Sequence, residues 1–411
     1  MRKPVLYVLL FTFIGLFLAQ EAAAIPAFAR KYRLSCTTCH APFPRLKPYG
    51  DDFAGNGFVL EDEEAPRYFV DTGDEELDLI RDFPLAVRFD GRIRYLPEAQ
   101  SEFDLQLPYL IKLLSGGALT DNLSYYFYMY MDERGEVVGV EDAYLMFNNA
   151  FGQDLDFYFG QFQVSDPLFK RELRLTMEDY MVYKYAPGES DIALAYDRGM
   201  MITLGLPTGT DVIAEVVNGN GLADAVNHVF DRDNYVSVAG RLSQGIGDMF
   251  RIGGFTYYGK EDAPLDDDGV PTSPESNEVL YWGPDVTINY QDYVELNVQY
   301  MHRTDSNPYF VAGYNEDDIT SDGIMAELII LPNKDLSRHY AVLLYNSVKT
   351  DYKPYREFDQ SNSIYTDDPY YETAALHLGH VYRRNIRFFV EYLYNFDLED
   401  HYGGAGFSFA F

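Results

Sequence analysis

The chain contains two cysteines, and they lie three positions apart, directly before a histidine, in the stretch Cys36-Thr37-Thr38-Cys39-His40. Two thiols at this spacing can each add to one vinyl group of a single haem. A histidine beside the second thiol is then held under the iron as its proximal ligand. The pattern therefore predicts one covalently bound haem c, with Cys36 and Cys39 as its attachment points and His40 as the iron ligand.

A redox-active dithiol and half of a zinc site are the alternatives for a C-x-x-C pair. A zinc site would need further Cys or His nearby, and residues 25–83 hold no His besides His40. A thioredoxin-like dithiol expects a strand-to-helix setting, which the flanking sequence does not indicate. Haem attachment is favoured, because the start of the chain also predicts export to a compartment where c-type haem is attached.

That start has the three parts of a secretory signal. Met1-Arg2-Lys3 is basic, residues 5–19 are almost all apolar, and Ala22-Ala23-Ala24 provides a small-residue cleavage site. We predict a signal peptide over residues 1–24 and a mature chain that begins at Ile25. No other stretch approaches the 18 or so apolar residues of a membrane helix.

The charge and the aromatic content narrow the class of protein. Asp and Glu number 65 against 32 Lys and Arg, which gives a net charge of −33. Such acidity excludes nucleic acid as a partner, because phosphates would be repelled. The 36 Tyr and 29 Phe against 1 Trp make 16% of the chain aromatic. This content does not favour the default for an exported chain, a soluble periplasmic protein.

Two segments precede the bulk of the chain. Residues 25–58 carry the haem motif and predict a compact unit with short helical turns broken by Pro and Gly. Some thirty residues cannot bury a core of their own, so the haem would serve as that core. Residues 59–83 are rich in Asp and Glu and predict an acidic linker.

From residue 84 to 411 the apolar residues recur at every second position. In one stretch, Ile386, Phe388, Val390 and Tyr392 alternate with residues that include Arg387 and Glu391. This period predicts β-strands with one apolar face. We place sixteen strands near 84–95, 104–114, 122–132, 137–148, 154–164, 192–206, 210–219, 233–243, 248–259, 278–290, 293–303, 322–332, 337–349, 371–383, 386–397 and 402–411.

The connections decide between a soluble sandwich and a membrane barrel. Short turns at 207–209, 291–292, 332–334 and 384–385 alternate with long loops near 165–191, 220–232, 260–277, 304–321 and 350–370. Short turns at one end and long loops at the other indicate a transmembrane β-barrel of the outer membrane in contact with lipid. The alternating strand that closes on Phe411 resembles the C-terminal signature of such barrels. We therefore predict an all-β, antiparallel barrel over 84–411, with the haem segment plugging or capping its lumen.

The sixth ligand of the iron does not come from the haem segment's own side chains, since residues 25–83 contain no Met and no second His. The barrel, the α-amine of Ile25 or no group at all remain possible. Strand parity turns His377 inward, which makes it a candidate distal ligand. The same parity turns Arg88, Arg92 and Arg94 inward, as candidate partners of the haem propionates or as part of an ordinary porin wall of mixed charge.

The segment around the motif resembles the fused monohaem cytochrome c–porin family of outer-membrane iron oxidases. The matching residues are Pro26-Ala27-Phe28-Ala29-Arg30, Cys36, Cys39, His40, Pro44, Leu46, Gly50, Phe53, Gly57 and Phe58. The resemblance implies one haem on a segment that plugs a barrel of about sixteen strands. It also implies electron transfer from extracellular Fe(II) to a periplasmic cytochrome. At Lys31-Tyr32-Arg33 the chain departs from the iron oxidases and is similar to a broader set of cytochrome–barrel fusions.

The functional prediction is therefore outer-membrane electron transfer through one haem, with Fe(II) oxidation as the activity that the resemblance implies. A diffusion porin whose haem segment is a plug or redox sensor is the alternative from another class. A conduit that carries electrons outward to external acceptors is a third. Acidic runs in the long loops, Asp266-Asp267-Asp268, Glu316-Asp317-Asp318 and Asp367-Asp368, suit divalent cations without the spacing of an EF-hand.

Overall fold

Sixteen antiparallel strands form a closed barrel in the computed structural model, as predicted. The structure describes residues 27–60, 73, 83–97, 103–132, 137–222, 225, 228–231, 233–265, 270–311, 318–351 and 370–411. The predicted signal peptide and most of the acidic linker lie outside the described residues. So do the acidic runs in the long loops, except for Asp318.

Each strand pairs with its neighbours in sequence, and the first pairs with the last, Arg88 opposite Ala410, which closes the barrel. The strands are β1 (Leu85–Tyr95), β2 (Phe103–Ala118), β3 (Leu123–Asp132), β4 (Val137–Phe147), β5 (Leu155–Gln163), β6 (Tyr196–Leu206), β7 (Thr210–Val217), β8 (Ser237–Ile246), β9 (Phe250–Asp262), β10 (Ser276–Tyr290), β11 (Val294–Asp305), β12 (Ile319–Ile330), β13 (His339–Thr350), β14 (Tyr370–Arg383), β15 (Ile386–Asn395) and β16 (Asp400–Ala410). Among the residues that the structure describes, no helix is long and apolar enough to cross a membrane.

The two faces of the wall differ as the period of two requires. In β14, Leu376 and Leu378 point outward and are 40% and 48% exposed, whereas His377 between them is fully buried. Outward apolar side chains form the face that a barrel presents to lipid. The predicted parity of this strand is therefore confirmed.

The connections sort by length between the two ends of the barrel. Turns of a few residues, such as 207–209 and 384–385, lie at the end where β1 starts and β16 finishes, which we call the short-turn end. The long connections leave from the other end, the long-loop end. One long connection, between β5 and β6, folds into the barrel instead.

The connection between β5 and β6, residues 164–195, folds into the lumen, and we call it the inserted loop. It contains two short 3₁₀ turns, Arg171–Leu173 and Met181–Tyr183. The sequence predicted a long loop near 165–191, which could include a helix, and a strand that began at residue 192. The strand begins instead at Tyr196, because residues 192–195 still belong to the loop, where Leu194 N donates to Tyr183 O at 3.0 Å.

Polar contacts and apolar packing both hold the inserted loop against the inner wall. Carboxylate oxygens of Glu391 accept from Met177 N at 2.6 Å and from Glu178 N at 2.9 Å. Apolar side chains of the loop that include Tyr183 and Leu194, both at 0% exposure, join one buried cluster with inward residues of the wall. One side of the lumen is thus filled with packed side chains rather than with solvent.

The segment before the barrel forms three short helices, α1 (Ala27–Tyr32), α2 (Cys36–Cys39) and α3 (Pro48–Gly55). Pro48 begins α3, where its missing N–H costs nothing. Gly57 follows the helix at φ +66°, a conformation that a residue with a Cβ rarely adopts. The segment lies against the inner wall and the turns of the short-turn end.

Candidate haem site

The cysteine motif forms a single helical turn that is capped at both ends. The Ser35 side chain accepts from Thr37 N at 3.4 Å, and His40 N donates to Cys36 O at 2.9 Å. Cys36, Cys39 and His40 all line one cavity of about 260 Å³, which we call the Cys-His cavity. The turn therefore presents both thiols and the imidazole to the same space.

The imidazole of His40 has one nitrogen engaged. Nδ1 lies 2.9 Å from the carbonyl oxygen of Pro44. A metal-bound histidine commonly donates its other ring N–H to such a carbonyl, which fixes the tautomer and aims Nε2 at the metal. Burial lowers the pKa of His40, so the ring is held in the neutral form that can bind iron.

The two thiols are free and half-buried at the edge of the cavity. Burial raises the pKa of both Cys36 and Cys39. They therefore favour the thiol over the thiolate, because burial outweighs the opposing charges of Arg384 near Cys36 and Lys47 near Cys39. This environment fits thiols that are consumed in a structural bond.

A close approach of two backbones fixes the position of α2. A Cβ added at Gly50 would lie 2.4 Å from the carbonyl oxygen of Cys39, so a glycine is needed where α3 crosses the motif. Lys47 N donates to the same oxygen at 3.0 Å. The backbone at the start of α3 thus packs against Cys39 and fixes its position.

Aromatic side chains fill the space between the helices and the barrel. Phe28 stacks on Phe58 with centroids 4.9 Å apart, and Phe53 meets Phe28 edge to face at 5.4 Å. Phe58 stacks in turn on Tyr126 of β3 at 5.5 Å. This row continues the apolar surface of the segment onto the wall, and a segment too short for its own core gains one from the barrel.

Ion pairs tie the segment to three different parts of the barrel. Arg45 pairs with Glu295 of β11 at 2.5 Å, and Lys47 pairs with Asp335 in the β12–β13 turn at 2.8 Å. Asp51 pairs with Lys170 of the inserted loop at 3.0 Å. Such partly exposed pairs contribute little free energy each, but they specify one orientation.

The remaining walls of the Cys-His cavity come from the barrel and the inserted loop. The accessible lining is largely apolar and includes Phe43, Leu46, Val87, Leu114, Tyr126 and Tyr144. Cationic groups that can meet acidic substituents stand among them, namely Arg88, Lys112 and Lys170. A haem is a flat apolar macrocycle with two carboxylates, so the lining and the neutral imidazole of His40 fit it.

The charged groups of the cavity are mostly paired. Arg88 lies 2.7 Å from Asp90, and Lys112 is hydrogen-bonded to Glu172. Burial alone would raise the pKa of Glu172, but Lys112 and neighbouring arginines outweigh it and lower the pKa to about 2. Burial raises the pKa of Asp166 to about 6. The cavity therefore contains one carboxyl group that titrates in a mildly acidic range.

The structure separates the three arginines that sequence parity had grouped together. Arg88 lines the Cys-His cavity, with its guanidinium carbon 5.9 Å from the ring centre of Phe43. Arg92 lies deeper in the lumen, 3.3 Å over the ring of Tyr109. Arg94 does not line the Cys-His cavity.

His377 faces inward as predicted, but the structure does not bring it to the Cys-His cavity. Its Nδ1 lies 2.8 Å from Glu391, and its Nε2 lies 3.4 Å from the hydroxyl of Tyr340. Glu391 is the residue that anchors the inserted loop at Met177. His377 therefore supports that anchor.

Five charged residues of the cavity were not among the sequence candidates, namely Lys112, Asp142, Asp166, Lys170 and Glu172. Lys112 could have been found, because it lies opposite Arg88 on the neighbouring strand. Lys170 and Glu172 carry no such signal, since they belong to the inserted loop. Their place in the cavity depends on a fold of that loop that no period in the sequence indicates.

Comparisons with known proteins establish the fold. No family model matches the sequence, and no curated protein matches it. The chain is similar in structure to the outer-membrane channel DcaP of Acinetobacter baumannii, at 14% identity and a TM-score of 0.56 over 80% of this chain and 97% of that one. It is similar also to OmpT of Vibrio cholerae (11%, TM-score 0.54, 80% and 99%) and to an anion-selective porin from Comamonas acidovorans (10%, TM-score 0.54, 80% and 99%). The chain thus has the sixteen-stranded barrel fold of outer-membrane porins.

Proposed function

We propose that this protein is an outer-membrane electron-transfer protein with one haem c on the segment 25–58. Cys36 and Cys39 would hold the group by thioether bonds, and His40 Nε2 would be the proximal iron ligand. The observation that supports this proposal most is the Cys-His cavity. Two thiols and one imidazole, the three groups that the chemistry needs, share a largely apolar space between the segment and the barrel wall.

Bound haem supplies one-electron transfer. The residues around it would hold and tune it. Pro44 O orients His40 through the bond to Nδ1. Arg88 and Lys112 would meet the propionates, since charge-assisted hydrogen bonds to carboxylates are strong. The apolar wall would limit access of water to the iron, which influences its reduction potential.

The outward apolar face suits the outer membrane of a bacterium. In barrels of this class the short turns and both chain ends face the periplasm. The segment would then dock from the periplasmic side, where a soluble cytochrome can reach it. Because the apolar band is about 25 Å tall, a haem inside the mouth shortens the path from an external donor.

The external donor in this proposal is Fe(II), and it rests on the resemblance to cytochrome–porin fusions. Electrons would pass from Fe(II) to the haem and then to a periplasmic cytochrome. The opposite direction, outward to an external acceptor, uses the same site. The direction depends on the potentials of the partners.

A diffusion porin is the second candidate, and the fold favours it. The similar structures include channels and a porin, and a space of about 910 Å³ with a mixed polar and apolar lining opens between the segment and the turns of the short-turn end. The apolar packing of the inserted loop against the wall argues against a wide pore. A porin would need a water-filled path past this packing.

One preparation tests both functions. The full chain is produced in a host with c-type haem maturation, purified in detergent and compared with the Cys36→Ser, Cys39→Ser variant. We expect haem that stays with the denatured chain in the wild type alone, and reduction of its spectrum within seconds to minutes of adding Fe(II). No covalent haem would refute the proposal, and haem that Fe(II) does not reduce would refute iron oxidation alone. Bilayer conductance at the level of porins would favour the second candidate.

A further inference from the structure

A second cavity of about 220 Å³ lies beside the Cys-His cavity, between the inserted loop and the strands β1–β4, β15 and β16. We call it the arginine cavity. Four residues, Arg88, Lys112, Tyr128 and Glu172, line both spaces. It extends from them toward the middle of the barrel, to Tyr130 and Arg92.

The charge of this space is opposite to that of the chain. Lys and Arg outnumber carboxylates seven to four in its lining, although the chain has 65 acidic and 32 basic residues. Positive charge is thus concentrated at one internal site of an acidic protein. A buried surplus of charge is unfavourable unless something balances it, because the low dielectric strengthens the repulsion.

Three cations of the inserted loop share one carboxylate. Asp179 lies 2.6 Å from Arg171, 3.6 Å from Arg174 and 3.5 Å from Lys184. The buried Nε of Arg174 has no hydrogen-bond partner among the described residues. One carboxylate cannot satisfy three cations, so this group retains donors for a further anion.

Arg92 stands on the opposite wall with uncharged partners. Its Nε donates to Gln106, and its guanidinium stacks on Tyr109. In the described part of the chain, no carboxylate pairs with it. A guanidinium that is held flat in this way presents its remaining N–H groups as a fork, the geometry that carboxylate and phosphate match.

We propose that the arginine cavity is a binding site for a small multivalent oxyanion, a polycarboxylate or a phosphate. Arg92 binds it from the wall, and Arg174 and Lys184 bind it from the inserted loop. These three residues line the arginine cavity and not the Cys-His cavity, whereas the proposed propionate partners Arg88 and Lys112 line both. The site therefore retains cations when the haem carboxylates are paired, and it does not depend on the haem function.

The test is calorimetric titration of the full chain, purified in detergent at low salt, with citrate and, separately, with inorganic phosphate. We expect saturable binding of at least one of them. The Arg92→Gln, Arg174→Gln variant should bind about a hundredfold more weakly or not at all, since each of the two charged contacts contributes about tenfold or more. Affinity should also fall steeply as salt is raised.

The matched control is Arg338→Gln, Arg383→Gln, which removes two exposed arginines at the short-turn end. It should bind like the wild type. If the double glutamine variant does not fold, Arg92→Lys tests the fork alone and should weaken binding while the charge is kept. Absence of binding by both anions, or equal affinity in the wild type and the cavity variants, would overturn the proposal. Covalent haem, measured separately, reports on the proposed function.

Discussion

The two halves of the lumen are built on the same strand geometry but have different contents. On one side, inward residues of β8–β14 such as Tyr257, Val279 and Met325 pack against the inserted loop with almost no exposed surface. On the other side, inward residues of β1–β4 such as Arg88, Lys112 and Asp142 face cavities. The inserted loop separates the two sides.

This difference shows that the inner face of a barrel need not be a water-filled channel. The alternation of side chains along each strand decides which residues point inward. Whether those residues are packed or line a cavity depends on what lies inside the barrel, here the inserted loop. The loop covers apolar inward residues on one side. On the other side inward residues, several of them charged, line the cavities beside the docked segment.

The largest effect, on channel conductance, is expected from removing most of the inserted loop, which fills the packed half of the lumen. We expect replacement of residues 166–192 by a short Gly-Ser link to raise single-channel conductance from near zero to the level of open porins, because the apolar packing then has no second partner. Planar bilayer recordings measure it. Shortening the β9–β10 connection is the control and should leave the channel closed. A deletion variant that folds and stays closed would show that the haem segment alone blocks the lumen.

The next prediction tests the close approach of α3 to Cys39 in the segment that docks in the other half of the lumen. A Cβ at Gly50 would lie 2.4 Å from Cys39 O, whereas one at Gly55 meets nothing within 4 Å. We expect Gly50→Ala to destabilise the segment by about 1–3 kcal/mol and to lower the yield of covalent haem. Gly55→Ala, on the same helix, should change neither. Haem absorbance per milligram of purified protein is the readout, and equal yields would refute the close approach.

A smaller effect distinguishes the arginines of β1. Arg88 lines the Cys-His cavity, and Arg94 does not. Loss of a charge-assisted contact of about 1 kcal/mol changes a one-electron potential by about 40 mV. We expect Arg88→Gln to change the haem midpoint potential by about this amount. A change in Arg94→Gln as large as that in Arg88→Gln would contradict the separation of the two residues.

The smallest effect concerns pH. Burial raises the pKa of Asp166, which lines the cavity, to about 6. Above this pH its negative charge favours the ferric state, so the midpoint potential should fall as pH rises through about 6. Redox titration between pH 5 and 8 measures the slope. In Asp166→Asn that slope should be shallower, and an identical slope would assign the pH dependence to another group.

Local patterns in the sequence predicted much of the wall. The period of two and the turn residues indicated sixteen strands, and the parity of Leu376, His377 and Leu378 identified which face is outward. These properties depend on neighbours two residues apart, so they are visible in a single sequence. Strand ends were less accurate, as at Tyr196, because the end of a strand depends on what the following loop contacts.

The sequence by itself determined the residue types and spacing of Cys36, Cys39 and His40, the alternation of the barrel and the lack of a Met or a second His in residues 25–83. The tertiary structure decided that the loop 164–195 turns inward and that Lys170 and Glu172 line the Cys-His cavity. It also decided that His377 braces this loop rather than lining the cavity. These outcomes depend on tertiary contacts, some between residues far apart in sequence, such as Lys170 and Asp51 or Met177 and Glu391. Such contacts form only in the folded barrel, so no local pattern in the sequence indicates them.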